Sequence, residues 1–273
     1  MSGSKAPPAR RLPARHGWRR VVLPQVILVL AFLVVWELLV ASGHATEFFF
    51  GRPTWVFAYV SRGLWEGWLW GHTWVTFYET MAGFVLGTLL GTAVGLALWW
   101  SIFLSRVLSP VAVILNATPK IVMAPIFIVW FGIGLTSKVV LAVTICAIVA
   151  WISAFDAIRS VDLDQVDMIR ALGGRRRHAF TNVVIPTSLT WISAAMKINI
   201  GLALIGAITG EYLSSTQGLG YLAIKTANEY QMSQTLGVLL VISVLAGGQY
   251  YALLWAERRL FRWMRQDELE FIT

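Results

Sequence analysis

Residues 157–186 read AIRSVDLDQVDMIRALGGRRRHAFTNVVIP and form the longest polar interval between two apolar runs of this chain. Leu163, Val166, Ile169 and Leu172 recur at a spacing that puts them on one helical face, with Asp162, Gln165, Asp167 and Arg170 on the others. Asp164 followed three residues later by Asp167 resembles an N-terminal capping arrangement, and Gly173-Gly174 supplies a stop. A second short helix is expected through Phe180, Val183 and Val184, ahead of Pro186. A short amphipathic helix held between two apolar runs must lay its apolar face either on the lipid surface or on a soluble partner.

The flanking runs lie at roughly 138–156 and 185–210, and four more lie further out at 21–41, 74–100, 107–130 and 235–256. A helix needs about 20 apolar residues at ~1.5 Å each to cross ~30 Å of hydrocarbon. The sequence therefore predicts an all-α polytopic membrane protein of six transmembrane helices. Composition excludes a soluble enzyme: 57% of the 273 residues are hydrophobic and 13% charged, with mean hydropathy +0.68. Ordinary soluble domains carry about 25% charged residues. The single cysteine, Cys146, excludes an intrachain disulfide and a cysteine-rich metal site, and His16, His44, His72 and His178 lack ligand spacing. The first run is too long for a signal-peptide core, so it reads as a retained signal-anchor. The chain divides into a basic, acid-free tail over 1–20, read as disordered, and a six-span domain over 21–265. That domain contains the loop 157–184, and a short C-terminal tail covers 266–273.

Net charge is +8 with pI about 10.0. The basic residues flank apolar runs instead of forming one nucleic-acid-binding face, so a nucleic-acid partner is not expected. With the N-terminus in the cytoplasm, sixteen Lys and Arg fall in inner segments and four in outer ones, namely Arg52, Arg62, Lys138 and Lys225. Both termini and the loop then face the cytoplasm. Trp65, Trp68, Trp70 and Trp74 fit an outer aromatic belt, and Trp99 and Trp100 end the second span at the inner face.

Within the spans, Gly83, Gly87, Gly91 and Gly95 recur every four residues and predict close approach of another helix, within the subunit or across a dimer. The third span is interrupted by Asn116, Thr118, Pro119, Lys120 and Pro125. Irregular backbone at membrane depth is tolerated where it is buried in protein or lines a wet cavity. Lys120 and, in the fifth span, Lys197 fall near mid-membrane. Buried charges there mark functional sites by default, or else each lysine is paired, for instance with a helix-end carbonyl. Asn116, Thr118, Lys120, Lys197 and Asn199 are thus the expected lining of a transport pathway. Glu37, Glu79 and Glu211 read as lying near outer span ends, where they are cheaper to keep. The letters of Gly218-Leu219-Gly220-Tyr221-Leu222-Ala223 match a nucleotide fingerprint, but no strand precedes them, so the match is rejected. There is no G-x-x-x-x-G-K-[ST] and no hydrolytic triad or H-E-x-x-H, so no catalytic residue, metal ligand or bound cofactor is assigned.

The loop also carries a resemblance. Asp167-Met168-Ile169-Arg170-Ala171-Leu172-Gly173, nine residues, then Val183-Val184-Ile185-Pro186 resembles the EAA loop of ABC-importer permeases, with Asp for Glu and Met-Ile for the two alanines. Trp130-Phe131-Gly132-Ile133-Gly134 through Ser137-Lys138, Ser160-Val161-Asp162, and Gly210-Glu211 through Gly218-Leu219-Gly220-Tyr221 look like further family segments. The resemblance runs from about 74 to 265 and is closest to the nitrate/sulfonate/taurine-type branch, which also holds pyrimidine and thiamine-precursor transporters. It implies a type I (MetI-like) permease fold in a bacterial inner membrane. It also implies a homodimer, two separate ATPase subunits that bind ATP and Mg, and a periplasmic substrate-binding protein. On that resemblance the loop is a coupling helix in an ATPase groove, through Asp164, Val166, Asp167, Ile169, Arg170, Leu172, Gly173 and Pro186. The cargo would be a sulfonate, nitrate, taurine-like anion or a heterocyclic nutrient. The competing reading is an ion-coupled secondary transporter; that class usually shows internal repeats, and none is visible here.

Overall fold

Within the third span Pro125 does the opposite of Pro119, and this sets the shape of the bundle. In the computed structural model, which describes residues 18–260, every regular element is helical. The chain enters through α1 (Trp18–Ala41), then α2 (Glu47–Phe50), α3 (Pro53–Glu66) and α4 (Trp68–Ala97), which closes in a tight turn over Leu98–Trp100. Next come α5 (Ile102–Ala117), a tight turn over Lys120–Met123, α6 (Ala124–Phe131) and α7 (Leu135–Arg159). The loop holds α8 (Leu163–Ala171) and α9 (Arg176–Ala179). A π-turn over Phe180–Val184 joins α9 to α10 (Ile185–Ser214), and α11 (Leu219–Asn228) and α12 (Met232–Leu260) complete the described chain.

Five helical stretches are long and apolar enough to cross a membrane: those of α1, α4, α7, α10 and α12. The expected third span is a broken pair, α5 and α6, bent by 86° at the break and apolar enough to span only together, so the six expected spans are reached when the pair counts as one. Proline disfavours the α conformation in the residue before it, and Thr118 is extended (φ −68°, ψ 130°) ahead of Pro119. Pro125 sits in the first turn of α6, where a missing N–H costs nothing, so it starts a helix. Read from sequence alone, both prolines looked like equal kinks in one helix.

The centre is a three-helix unit of α4, α7 and α10. The glycine stripe lies inside this protomer, against α7. A Cβ on Gly83 would meet Ala142 Cβ at 2.3 Å, one on Gly87 Val143 O at 2.7 Å, one on Gly91 Ala147 O at 2.1 Å, and one on Gly95 Ala154 Cβ at 2.5 Å. From the far side, a Cβ on Gly206 of α10 would meet Ala142 Cα at 2.8 Å. Ala142, fully buried, is thus held between two glycine-bearing helices. Of the two expected arrangements, within the subunit or across a dimer, the stripe takes the first, and its surface is already used.

α1 stands apart. Of its spanning stretch only Val40 is buried among the described residues, and Glu37 ties it to the rest by accepting from Arg52 Nε and from Thr54 N at 3.1 Å. The tail 1–17 and the residues after 260 lie outside the described residues, so the two expected tails fall almost wholly there.

Candidate functional site

The loop that opened the sequence reading is built from a cap, a stop and a buried anchor. Asp162, two residues before the expected Asp164, caps α8: its side chain accepts from Asp164 N at 2.9 Å. Asp164 is in the first turn, where a carboxylate favours the helix N-terminus. Gly173 ends the helix at φ +82°, and Gly174 N donates to Ile169 O at 2.8 Å. The apolar set divides in two. Val166 is 2% exposed and packs with Val161, Ala179, Val183 and Val184, with Ile169 and Trp99 against the same cluster. Leu163, Met168 and Leu172 are 68, 61 and 81% exposed. Val166, assigned to partner contact from sequence, is instead the peg that holds α8 to its own protomer. Asp167 and Arg170 pair at 3.1 Å on the exposed side, and Pro186 lies in the first turn of α10.

The loop is also fixed to the end of α4. Arg176 donates to the carbonyls of Trp99 and, at 3.3 Å, Trp100. These tryptophans were read only as interface markers.

At the opposite end of the bundle, three charges expected near the outer surface are buried together. Glu79 and Glu211 are 0 and 1% exposed. Lys138 of α7 donates to Glu79 Oε1 at 2.9 Å and to Ser215 Oγ at 2.8 Å. Thr76 donates to Glu211 Oε1 at 2.6 Å, and Gly220 N to Glu211 Oε2 at 2.5 Å. The glycines of the rejected nucleotide match explain themselves here. A Cβ on Gly218 would meet Glu211 Cδ at 2.2 Å and one on Gly220 Ile208 O at 2.7 Å, so this loop wraps a carboxylate. Removing one partner from such a buried set leaves an uncompensated charge, so the cluster fastens α4, α7, α10 and α11 together. A signal existed in the sequence: acid on one span and base on another, at matching distances from the same membrane face.

The expected pathway residues separate. Asn116 and Thr118 are exposed at the α5–α6 elbow. Lys120 Nζ donates to Asn116 O at 3.0 Å, and Thr118 Oγ1 to Ile114 O at 2.9 Å. Lys120 thereby satisfies a carbonyl at the end of α5, while Ile114 O also accepts from Thr118 N at 3.1 Å. Lys197 pairs with Glu257 of α12 at 2.8 Å. Asn199 leaves the set: it is fully buried, and its Nδ2 donates to Thr88 Oγ1 at 3.0 Å and Cys146 O at 3.1 Å, so it cross-braces α4, α7 and α10. The two lysines have different partners, Asn116 O for Lys120 and Glu257 for Lys197.

Between α2, α3 and the start of α12 lies a cleft of about 400 Å³, lined in part by Phe48, Trp55, Arg62 and Tyr230. Phe48 and Tyr230 stack at 5.8 Å, and Tyr230 adopts φ +58°. No group of three or more His, Cys, Asp or Glu among the described residues could hold a metal ion.

Residues 83–266 match the family model described as the inner membrane component of binding-protein-dependent transport systems. The chain belongs to that permease family. It is similar to the riboflavin transport system permease protein RibX of Chloroflexus aurantiacus, at 32% identity over 95% of this chain and 96% of that one. It is also similar to the putative aliphatic sulfonates transport permease protein SsuC of Bacillus subtilis, at 25% identity over 97% and 95%. In fold it resembles a chain of the inward-facing MetNI methionine ABC transporter, with TM-score 0.61 and 22% identity, covering 72% of this chain and 97% of that one. The permease is therefore a multi-pass inner-membrane transport subunit of the sulfonate/taurine-type branch, without a catalytic domain. Family membership implies ATPase and binding-protein partners.

Proposed function

We propose that two copies of this permease form the membrane pathway of an importer, with termini and loop in the cytoplasm and an ATPase subunit seated on each α8. One observation carries the reading. Val166 anchors α8 from beneath, while Leu163, Met168 and Leu172 stay exposed beside Arg175 and Arg177. A rigid helix that turns apolar side chains outward inside a basic rim fits the groove of a soluble partner. Closure of the ATPases on ATP then moves α8 and, through it, the spans. The same end of the bundle carries Arg159, Arg170, Arg258 and Arg259, which supports its cytoplasmic placement.

The pathway runs past the elbow, where Asn116, Thr118 and Lys120 stand together and α5 buries little besides Ala112. The cargo is a small nutrient of the sulfonate type, such as a taurine-like anion or nitrate, or a heterocycle such as a pyrimidine. Permeases named for riboflavin and for aliphatic sulfonates, both similar along nearly the whole chain, support these two classes. Mass spectrometry of the ligand carried by the partner binding protein separates them.

The decisive test is Gly173→Asp. At φ +82° a side chain is strained, and the added charge falls where α8 must stop. ATPase retention on membranes should drop while permease level holds; unchanged retention would refute the assignment of α8. Single cysteines at 116, 118 and 120 in a Cys146→Ala background test the elbow. If none reacts with a small charged thiol reagent, with or without ATP, the elbow is not the route.

A further inference from the structure

We propose that Arg176 is the positioning residue that fastens the loop to α4, so that movement of α8 is delivered to the α4–α7 pair. The proposal rests on the reading of α8 as the ATPase contact.

The guanidinium of Arg176 lies 5.6 Å from the ring centroid of Trp99 and 5.6 Å from that of Trp100. It donates through Nη1 to Trp100 O at 3.3 Å and through Nη2 to Trp99 O. Carbonyls at a helix C-terminal end lack helical partners and carry the negative end of the macrodipole, so a cation there is favoured. Two aromatic faces add cation–π attraction. Only a planar fork of donors meets two carbonyls and two rings at once; an ammonium group cannot. Of the three consecutive arginines, Arg176 is the one whose guanidinium makes such contacts among the described residues.

Two further contacts converge on the same two-residue site. The Trp100 ring meets Phe180 at 5.5 Å, and Trp99 packs on the cluster that buries Val166 of α8. The loop thus grips the end of α4 by a cation and by two rings, whereas it meets α10 through the π-turn and Pro186. From that grip a displacement has little to compress. Backbone meets backbone along the glycine stripe from Gly95 to Gly83, and at the far end Lys138 ties α7 to Glu79 of α4. A close-packed seam fastened at its far end moves as one bar.

The test uses the permease assembled with its ATPase subunits in lipid nanodiscs. A fluorescent amino acid is placed at residue 71, near the start of α4, where a side chain meets no atom within 4 Å. The parent complex should change fluorescence on ATP. With Arg176→Lys, ATPase retention and ATP hydrolysis should stay within twofold of the parent, while the signal at 71 falls at least tenfold. Arg176→Cys with Trp100→Cys, in a Cys146→Ala background and joined by a short bifunctional thiol linker, should restore the signal. The proposal is overturned by a signal that survives Arg176→Lys, by signal, retention and hydrolysis falling together, or by a linker that restores nothing. A parent complex that binds ATPase but shows no ATP response also overturns it. A parent that retains no ATPase refutes the underlying reading of α8.

Discussion

Gly91→Ala should separate α4 from α7. The added Cβ would stand 2.1 Å from Ala147 O and 2.8 Å from the adjoining carbonyl carbon. Carbon–oxygen contacts normally settle at about 3.3–3.6 Å, so the helices must part locally by roughly 1.2 Å. A gap of that order forfeits about a quarter to a half of each ~0.1–0.2 kcal/mol atom-pair attraction. Over some 40 pairs around the site this comes to about 2 kcal/mol, within the usual cost of overpacking. Alanine for glycine in a helix returns about 1 kcal/mol, so the net loss is about 1 kcal/mol. Gly71→Ala is the matched control, since its Cβ meets nothing within 4 Å and it should gain the propensity term alone. The two variants should therefore differ by about 2 kcal/mol in reversible unfolding of the detergent-solubilised protein. A second contrast sharpens the test. The obstacle at Gly83 is Ala142 Cβ, with Ala142 backbone carbons at 3.4 Å, so Ala142→Gly should rescue Gly83→Ala. The obstacle at Gly91 is a carbonyl oxygen, so Ala147→Gly should not rescue Gly91→Ala. Equal stabilities for Gly91→Ala and Gly71→Ala would refute backbone-to-backbone contact as the basis of the seam.

Lys138→Met leaves Glu79 and Glu211 buried without their cation and should cost about 3–5 kcal/mol, seen as lost membrane accumulation and partly recovered by adding Glu79→Gln. Leu172→Asp should abolish ATPase retention with no change in thermal stability, whereas Val166→Asp should destabilise the permease itself, because one side chain is exposed and the other is in a core cluster. Tyr230→Gly should raise stability by about 1 kcal/mol, the strain of a left-handed non-glycine residue, measured in the same unfolding assay.

What the sequence disclosed follows from how local each cause is. Span length is set by rise per residue, so the runs that became α1, α4, α7, α10 and α12 stood out with ends a few residues short. α8 was legible from its own periodicity and from Gly173. The division of its apolar face was not, because Val166 and Leu163 look alike until Ala179 and Trp99 cover one of them. Asn199 looked like a pathway residue because a polar group at that depth must be satisfied; its partners, Thr88 and Cys146, lie on other helices. Glu79 and Lys138 are 59 residues apart in the chain, and nothing local announces their pairing. The break in the third span was legible from Asn116, Thr118, Pro119 and Lys120, but its 86° bend was not, because Thr118 turns extended ahead of Pro119 whereas Pro125 fits the first turn of the next helix.

The π-turn at Phe180–Val184 has an angular consequence. Such a turn carries one residue more than the helix around it, so it works as a phase shift between the loop and α10. Each residue of an α-helix advances the heading by about 100°. Removing one residue at Thr181 or Asn182 would let the turn close as an ordinary α turn with the heading kept, whereas removing one from α10 just beyond it would swing Arg176 and α8 by roughly that angle around the axis of α10. The compass bearing of the loop is thus written in a count of residues, ahead of any contact it makes.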